Sequence, residues 1–278
     1  MFNTIISYLR RNNCSVCNQT TADQREFVAW FLLPGKGTYA APQGPSLAAD
    51  DIEVPQISYV DGFLADDIFN NTSEEERRSR VILSPKNSDC LLINEEVLRQ
   101  LPGGCHTYYS TDKVLTDDPA EAECYPLEFL NSLTPSGMPP HKLSLKSGSV
   151  VMLLHSISIQ NGLCNGTKLE VVAMHQHLIE ASLVSGSLIG RHVFIPRIKL
   201  APSDPNLPFT LEKTQFPVCL SYAMTINKSQ GQTFEVGLVL PQPVFSHRQL
   251  YVAYSRAFKL SDVRVKVMKT DRQGRRRG

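Results

Sequence analysis

The chain has 278 residues, 42% of them hydrophobic, and a formal net charge of +1. Such a length can bury a sizeable core in one or two domains, and the near-neutral balance excludes a polycation that coats nucleic acid with its whole surface. No stretch approaches the ~20 apolar residues needed to cross a bilayer, so no membrane partner is expected. Seven scattered cysteines and an amino-terminal segment with no secretory leader point to reduced thiols in the cytosol or nucleus. Cys14 and Cys17 form a Cys-x-x-Cys, but no second pair or nearby histidine completes a zinc site, so no metal centre is expected.

Residues 12–23 are polar and turn-rich, and 24–33 reads as a short helix carrying Phe27, Trp30, Phe31 and Leu33. Gly35-Lys36-Gly37-Thr38 follows it. A phosphate-cradling loop needs four residues between its first glycine and a Gly-Lys-Ser/Thr, set between a strand and a helix. Here the lysine precedes the second glycine, so the segment reads as a turn. Residues 40–55 form a Pro/Gly/Ala/Asp-rich linker, and 58–69 is predicted helical. Ser73 and Glu76 stand at capping-box spacing before another helix. A strand–turn–helix unit comes next, with 80–83 as strand, 84–87 as turn and 88–101 as helix. Leu91, Leu92, Glu95, Val97 and Leu98 fall on that helix, and Pro102-Gly103-Gly104 ends it.

After a helix at 126–133 and a Pro-rich turn, the periodicity changes. Alternation at 142–146 and short apolar runs at 149–154, 169–174, 178–184 and 191–195, split by Gly and Asn-Gly, predict five strands of a small antiparallel barrel. The α/β pattern then resumes, with strands at 218–222, 236–240 and 263–268 and a helix at 246–256. The chain is thus divided into a partly helical linking segment (1–72), a first α/β part with a connector (73–139), the barrel (140–201) and a second α/β part (202–268). A basic tail (269–278) containing Arg272, Arg275, Arg276 and Arg277 reads as solvated and disordered.

Two segments carry candidate chemistry. In 221–234, Thr225, Asn227, Lys228, Ser229 and Gln230 surround Gly231, which lets a backbone approach a ligand closely. Lys228 is a point charge for phosphate, and Gln230 offers both donor and acceptor. Taken alone, the segment is equally well an ordinary polar turn after a buried strand. In 249–257, Arg256 sits at the carboxyl end of the predicted helix, where a guanidinium serves either as a dipole partner or as a bidentate phosphate ligand.

From 80 to 267 these pieces resemble, in order, the C-terminal portion of Pif-type superfamily 1 DNA helicases, especially those of Helitron transposons. The pieces include RVILSPKNSDCLLINEEVLRQLPG, YPLEFLNSLTPSGMPPHKLSLKSGSVVMLL, GLCNGTKLEVV, LPFTLEKTQFPVCLSYAMTINKSQGQTF and FSHRQLYVAYSRA. The resemblance implies an α/β fold, the second RecA-like (P-loop NTPase-type) motor domain, interrupted by a small SH3-like β-barrel. It implies ATP with Mg2+ as cofactor, and single-stranded DNA and a first RecA-like motor domain as partners. The expected location is the nucleus, with the mitochondrion or the cytoplasm as alternatives. Ser84-Pro85-Lys86-Asn87 would be motif IV, with Lys86 and Asn87 facing nucleic acid. Motif V would be TINKSQGQT, with Thr225, Asn227, Lys228 and Ser229 on the DNA strand and Gln230 and Gly231 communicating with the nucleotide. Motif VI would be VAYSRA, with Arg256 as catalytic arginine finger and nucleotide ligand.

The sequence also departs from the family. It contains no Walker A sequence and no Asp-Glu magnesium motif, Tyr254 stands where leucine is usual, and Asn227 stands where related RecD helicases often carry histidine. The expected function is therefore the C-terminal part of an ATP-dependent DNA helicase that does not hydrolyse ATP alone. The alternative is a non-catalytic module for single-stranded nucleic acid, or a transposon-derived remnant.

Overall fold

The structure is a computed structural model, and it describes residues 64–70, 72–117, 124–135, 137–184, 188–202, 207–229, 235–240, 252–257 and 262–267. The expectations for 1–63, including the helix at 24–33 and the turn at 35–38, and for the tail at 269–278, lie outside these. The chain forms two compact units. The first gathers the described residues of Met1–Asn70, Ser79–Asp89 and Met224–Gly278, and the second those of Asn71–Arg78 and Cys90–Ala223.

In the first unit, β1 (Arg80–Ser84) pairs in parallel with β13 (Glu235–Leu240), which pairs in parallel with β14 (Val263–Val267). With β12 (Ala223–Thr225) they form a sheet ordered β12-β1-β13-β14. Val81, Ile82, Leu83, Val236, Leu238 and Val265 are wholly buried, as befits parallel strands that read as unbroken apolar runs. Helix α1 (Leu64–Phe69) packs on β1, β13 and β14 through Leu64, Ala65, Ile68 and Phe69. Gly237 permits this close approach. A Cβ there would lie 3.1 Å from both Ile68 and Ile82 and 3.2 Å from Leu64. The guanidinium of Arg80 donates to the Ile68 carbonyl at 2.8 Å and so satisfies one of the orphan groups at the helix end.

The second unit opens with α2 (Glu74–Ser79), and the capping box is present. The Glu76 amide donates to Ser73 Oγ at 3.2 Å and the Ser73 amide donates to the Glu76 carboxylate at 2.9 Å. Helix α3 spans Asn87–Gln100, and its buried residues are Cys90, Ile93, Asn94, Val97 and Leu98. Leu91 and Leu92 lie on the exposed side, 38% and 66% accessible, so the apolar stripe runs one position away from the one those leucines suggest.

Three sheets follow. Strands β2 (His106–Tyr109) and β4 (Lys142–Leu145) pair antiparallel. Strand β3 (Thr111–Leu115) pairs with β10 (Thr210–Gln215), whose other neighbour is β9 (Ile198–Leu200). Between them in sequence lies helix α4 (Leu127–Ser132). The largest sheet is antiparallel, built from β5 (Val150–Leu153), β6 (Lys168–Met174), β7 (Leu178–Leu183), β8 (His192–Pro196) and β11 (Val218–Leu220) in the order β11-β5-β6-β7-β8. Burial alternates along β7 and β8, the mark of a sheet with one solvated face. A bulge at Val172 is where β6 takes up its one extra residue. One core runs under these strands from Tyr108, Leu143 and Leu145 through Leu153, Leu169 and Ile179 to Phe216 and Val218.

The strands expected at 142–146, 149–154, 169–174, 178–184 and 191–195 all exist, but their partners differ from a five-membered set. The first pairs with β2, and its place in the large sheet is taken by Val218–Leu220. The run 218–222, expected as one strand of the α/β layer, is instead broken at Ser221-Tyr222. Its first half joins the antiparallel sheet and only Ala223–Thr225 joins the parallel one. Apolar periodicity cannot tell these two uses apart, because each buries the same residues. The compact units change over at Asp89/Cys90 and at Ala223/Met224.

Candidate nucleotide and nucleic-acid site

Strand β12 ends at Thr225 and the chain turns at once into a single 3-10 turn, Ile226–Ser229, which packs against β1. Ile226 and Ser229 are buried, and the Ser229 hydroxyl donates to the Ile226 carbonyl at 2.7 Å, closing the turn on itself. Asn227 and Lys228, between the two buried anchors, are exposed, and Thr225 is half-buried. The turn thus presents an amide and an ammonium to solvent on a rigid base. Lys86 and Asn87 follow the carboxyl end of β1, Lys86 half-buried and Asn87 exposed as the first residue of α3. Carboxyl ends of parallel strands are where open α/β sheets usually place their ligands. Ser84, buried beneath them, donates to the Asp89 carboxylate at 3.1 Å and ties the loop to the first turn of α3. Gln230 and Gly231 lie outside the described residues.

The backbone leading into the 3-10 turn is clamped. Asn94 sits on the buried stripe of α3, where apolar residues would be usual. Its Oδ1 accepts from the amides of Tyr222 at 3.0 Å and Ala223 at 2.8 Å, and its Nδ2 donates to the Ala223 carbonyl at 2.9 Å. One step earlier, the wholly buried Tyr222 accepts the Val150 amide on its hydroxyl at 2.8 Å. Burial pushes that phenol up to about 12, with the Val150 N–H pulling the other way, so it stays neutral at physiological pH. Sequence reading missed both residues. The available signal was an asparagine in phase with Cys90, Ile93, Val97 and Leu98.

Residues Val252 to Tyr254 are helical and end in a turn at Ser255-Arg256. Arg256 is half-buried, and its donors converge on oxygen. Nε reaches the Ser255 hydroxyl at 3.1 Å and the Val252 carbonyl at 3.3 Å, and Nη2 reaches the same hydroxyl at 2.7 Å. Ser255 in turn donates to the Val252 carbonyl at 2.7 Å, which fixes the hydroxyl as an acceptor for the guanidinium. Nη1 points to the Ser229 carbonyl at 3.4 Å. The structure therefore joins the two candidate segments, 27 residues apart, through one guanidinium. Tyr254, where a leucine was expected, is buried, so the larger ring is accommodated inside.

An arginine guanidinium is charged at any physiological pH, and its planar fork matches the geometry of phosphate oxygens. One such group fits one side of a nucleotide. No group of three or more His, Cys, Asp or Glu side chains able to hold a metal ion occurs among the described residues. No helix among them is long and apolar enough to cross a membrane.

Residues 128–174 match the family described as DNA helicase Pif1, 2B domain. The human ATP-dependent DNA helicase PIF1 is 30% identical over 186 residues, which is 66% of this chain and 26% of that protein. The ATP-dependent DNA helicase Pif1 of Campylobacter jejuni is 44% identical over 64 residues, 23% of this chain and 14% of its own length. Among solved structures, Bacteroides Pif1 bound to ssDNA superposes with a TM-score of 0.60 at 20% identity, covering 89% of this chain and 49% of that one. The chain spans about a quarter of the length of the vertebrate relatives it matches, 26% for the human protein. Family match, relatives and fold together place the chain in the Pif-type superfamily 1 DNA helicases, over the C-terminal part of that family.

Proposed function

We propose that the chain is the C-terminal portion of an ATP-dependent DNA helicase. In this reading the β12-β1-β13-β14 sheet belongs to a second RecA-like motor domain, and the antiparallel strands of the second unit form an SH3-like barrel. The observation that carries the reading is the Arg256 contact with the Ser229 carbonyl, because a guanidinium so placed can sense a turn that holds DNA and a phosphate at the same time. Thr225, Asn227 and Lys228 contact a single DNA strand, with Lys86 and Asn87 adding to that surface, while the buried Ser229, expected there as well, instead holds the turn that presents them. Gln230 and Gly231 lie toward the nucleotide. Bound ATP with Mg2+ would supply the γ-phosphoryl group whose developing charge Arg256 offsets, a contribution of about 10³–10⁵ in rate in other NTPases.

These 278 residues include no Gly-x-x-x-x-Gly-Lys-Ser/Thr. We infer that the chain on its own binds single-stranded DNA without hydrolysing ATP, and that turnover needs a first motor domain carrying the phosphate loop. Its proposed place of action is the nucleus, with the mitochondrion or the cytoplasm as alternatives. Fluorescence anisotropy with a labelled single-stranded oligonucleotide tests the binding claim. Asn227→Ala and Lys228→Ala should each weaken a salt-sensitive affinity, and the lysine variant should flatten the salt slope by about 0.7. Failure of the wild-type chain to bind, or variants indistinguishable from it, would remove the basis for the reading.

The exposed Asn227 and Lys228 of the 3-10 turn also support a second reading, a single-strand-binding module with no catalytic role. It predicts the same binding, and it also predicts that no added first motor domain makes turnover depend on Arg256.

A further inference from the structure

We infer that the outward face of the ribbon running through β2 and β3, together with its cross-strand neighbours, is a further contact surface for single-stranded nucleic acid. It is built from residues that the helicase motifs do not include. The inference rests on the reading that this chain acts on single strands.

Residues 106–115 run as one extended ribbon interrupted only at Ser110. From Tyr108 to Leu115 burial alternates strictly, with Tyr108, Ser110, Asp112 and Val114 inside and Tyr109, Thr111, Lys113 and Leu115 outside. Exposed side chains on such a ribbon recur about every 7 Å along a single line. Tyr109 is 57% exposed, an unusual position for a ring of that size on a sheet face. Directly opposite it stands the exposed Lys142. Thr111 faces Thr214, whose other neighbour is Lys199, and Lys113 faces Glu212. Cross-strand partners share a face, so these side chains form one surface.

The charges on that surface are arranged as well as numerous. Glu212 lies low, its side chain 12% exposed, and its carboxylate contacts Lys113 at 3.1 Å and Lys199 at 3.7 Å, whose side chains are 56% and 70% exposed. One recessed carboxylate thus orients two outer ammonium groups without neutralising both. Lys142 adds a third exposed cation. Arg197 stiffens the platform. Its Nη1 donates to the Tyr109 carbonyl at 2.7 Å, and its guanidinium lies 4.9 Å from the centre of the Phe216 ring and 5.6 Å from that of Tyr108. The His141 ring lies 5.6 Å from that of Tyr109, centre to centre. Beneath the ribbon, the wholly buried Lys213–Asp112 pair at 2.6 Å cancels charge in the interior. The outward cations are left to set the potential of the face.

An exposed ring on a fixed backbone, flanked by lysines at strand spacing and by threonine hydroxyls, matches the chemistry of a flexible polyanion with free π-faces. Tyr109 stacks a base, while Lys113, Lys142 and Lys199 take phosphates as point charges and read no sequence. An acidic polypeptide would use the lysines but has no need of the exposed ring. A duplex keeps its bases stacked on each other and could not use it either.

The test uses the whole chain and a labelled oligothymidylate. Anisotropy should show binding weakened about tenfold by Tyr109→Ala and retained by Tyr109→Phe, since only the ring is required. The triple variant Lys113→Ala/Lys142→Ala/Lys199→Ala should flatten the slope of log affinity against log salt by about 2, three phosphate contacts at about 0.7 each. Photocrosslinking with 5-iodouracil in the same oligonucleotide should recover a peptide containing Tyr109. Circular dichroism melts should be unchanged, because every substituted side chain is exposed. The inference is overturned if Tyr109→Ala binds like wild type, if the triple variant keeps its slope, or if polyglutamate binds this face and the oligonucleotide does not. Lys228→Ala run in parallel separates the two ideas. Loss with Lys228→Ala and none with Tyr109→Ala defeats this inference alone, whereas an oligonucleotide that does not bind at all defeats the helicase reading with it.

Discussion

Replacing Asn94 by leucine keeps the side chain's shape and removes the three hydrogen bonds that hold Tyr222 and Ala223. Each buried backbone group left without a partner costs about 1–3 kcal/mol. The Ala223 carbonyl retains a second lone pair, so the two amides dominate and the sum is about 3–5 kcal/mol. With a urea m-value of about 2 kcal/mol/M, the unfolding midpoint should fall by about 2 M. Urea titration followed by circular dichroism measures that shift. Hydrogen exchange read at the Tyr222 and Ala223 amides localises it, and both should lose protection before β11 does. The 3-10 turn begins three residues after Ala223, so oligonucleotide affinity should fall together with the protection. A midpoint shift below about 0.5 M with both amides still protected would refute the clamp.

Other substitutions follow from buried charge. Lys168 is buried on β6, and burial pulls its ammonium from an ordinary 10.5 down to about 7. The unfolded chain therefore binds more protons than the folded one between about pH 7 and 10.5. Stability should climb with pH across that window by about 1.4 kcal/mol per unit and flatten below it, where both states are protonated and the burial cost is fully present. Lys168→Met should abolish the climb in urea titrations at pH 6, 7, 8 and 9, and parallel profiles would contradict the account. Lys213→Met leaves the wholly buried Asp112 carboxylate, whose Oδ1 makes no hydrogen bond, with only His141 Nδ1 at 3.7 Å beside it. It should cost about 3–5 kcal/mol by thermal or urea unfolding, with most of the loss recovered in Asp112→Leu/Lys213→Met.

What was legible in the sequence was local. The Ser73–Glu76 box depends on a spacing of three, β1 on an unbroken apolar run, and the end of α3 on Pro102-Gly103-Gly104, and each appears where local chemistry puts it. Strand partners were less legible, because pairing is decided by surfaces far apart in sequence. Val218–Leu220 is as good a parallel strand as an antiparallel one until Phe216 and Val218 are seen in the core beneath Leu153 and Leu169. The ribbon at 106–115 alternates in the sequence too, but its apolar members are interrupted by Ser110 and Asp112, buried polar residues that only His141 and Lys213 explain. At the candidate site, Lys228 and Arg256 stood out as charges. The features that hold them, the Ser255 hydroxyl and the Ser229 carbonyl, are a common side chain and a backbone atom, and neither announces itself by residue type.

The most direct test of the central claim is a single-strand-stimulated ATPase assay on the purified chain, wild type beside Arg256→Ala. Arg256 is proposed to supply one side of a nucleotide site whose phosphate loop these residues do not contain. The account predicts no turnover from either protein alone, and Arg256-dependent turnover once a Pif-type first motor domain is added. Robust hydrolysis by the chain alone, abolished by Arg256→Ala, would contradict it.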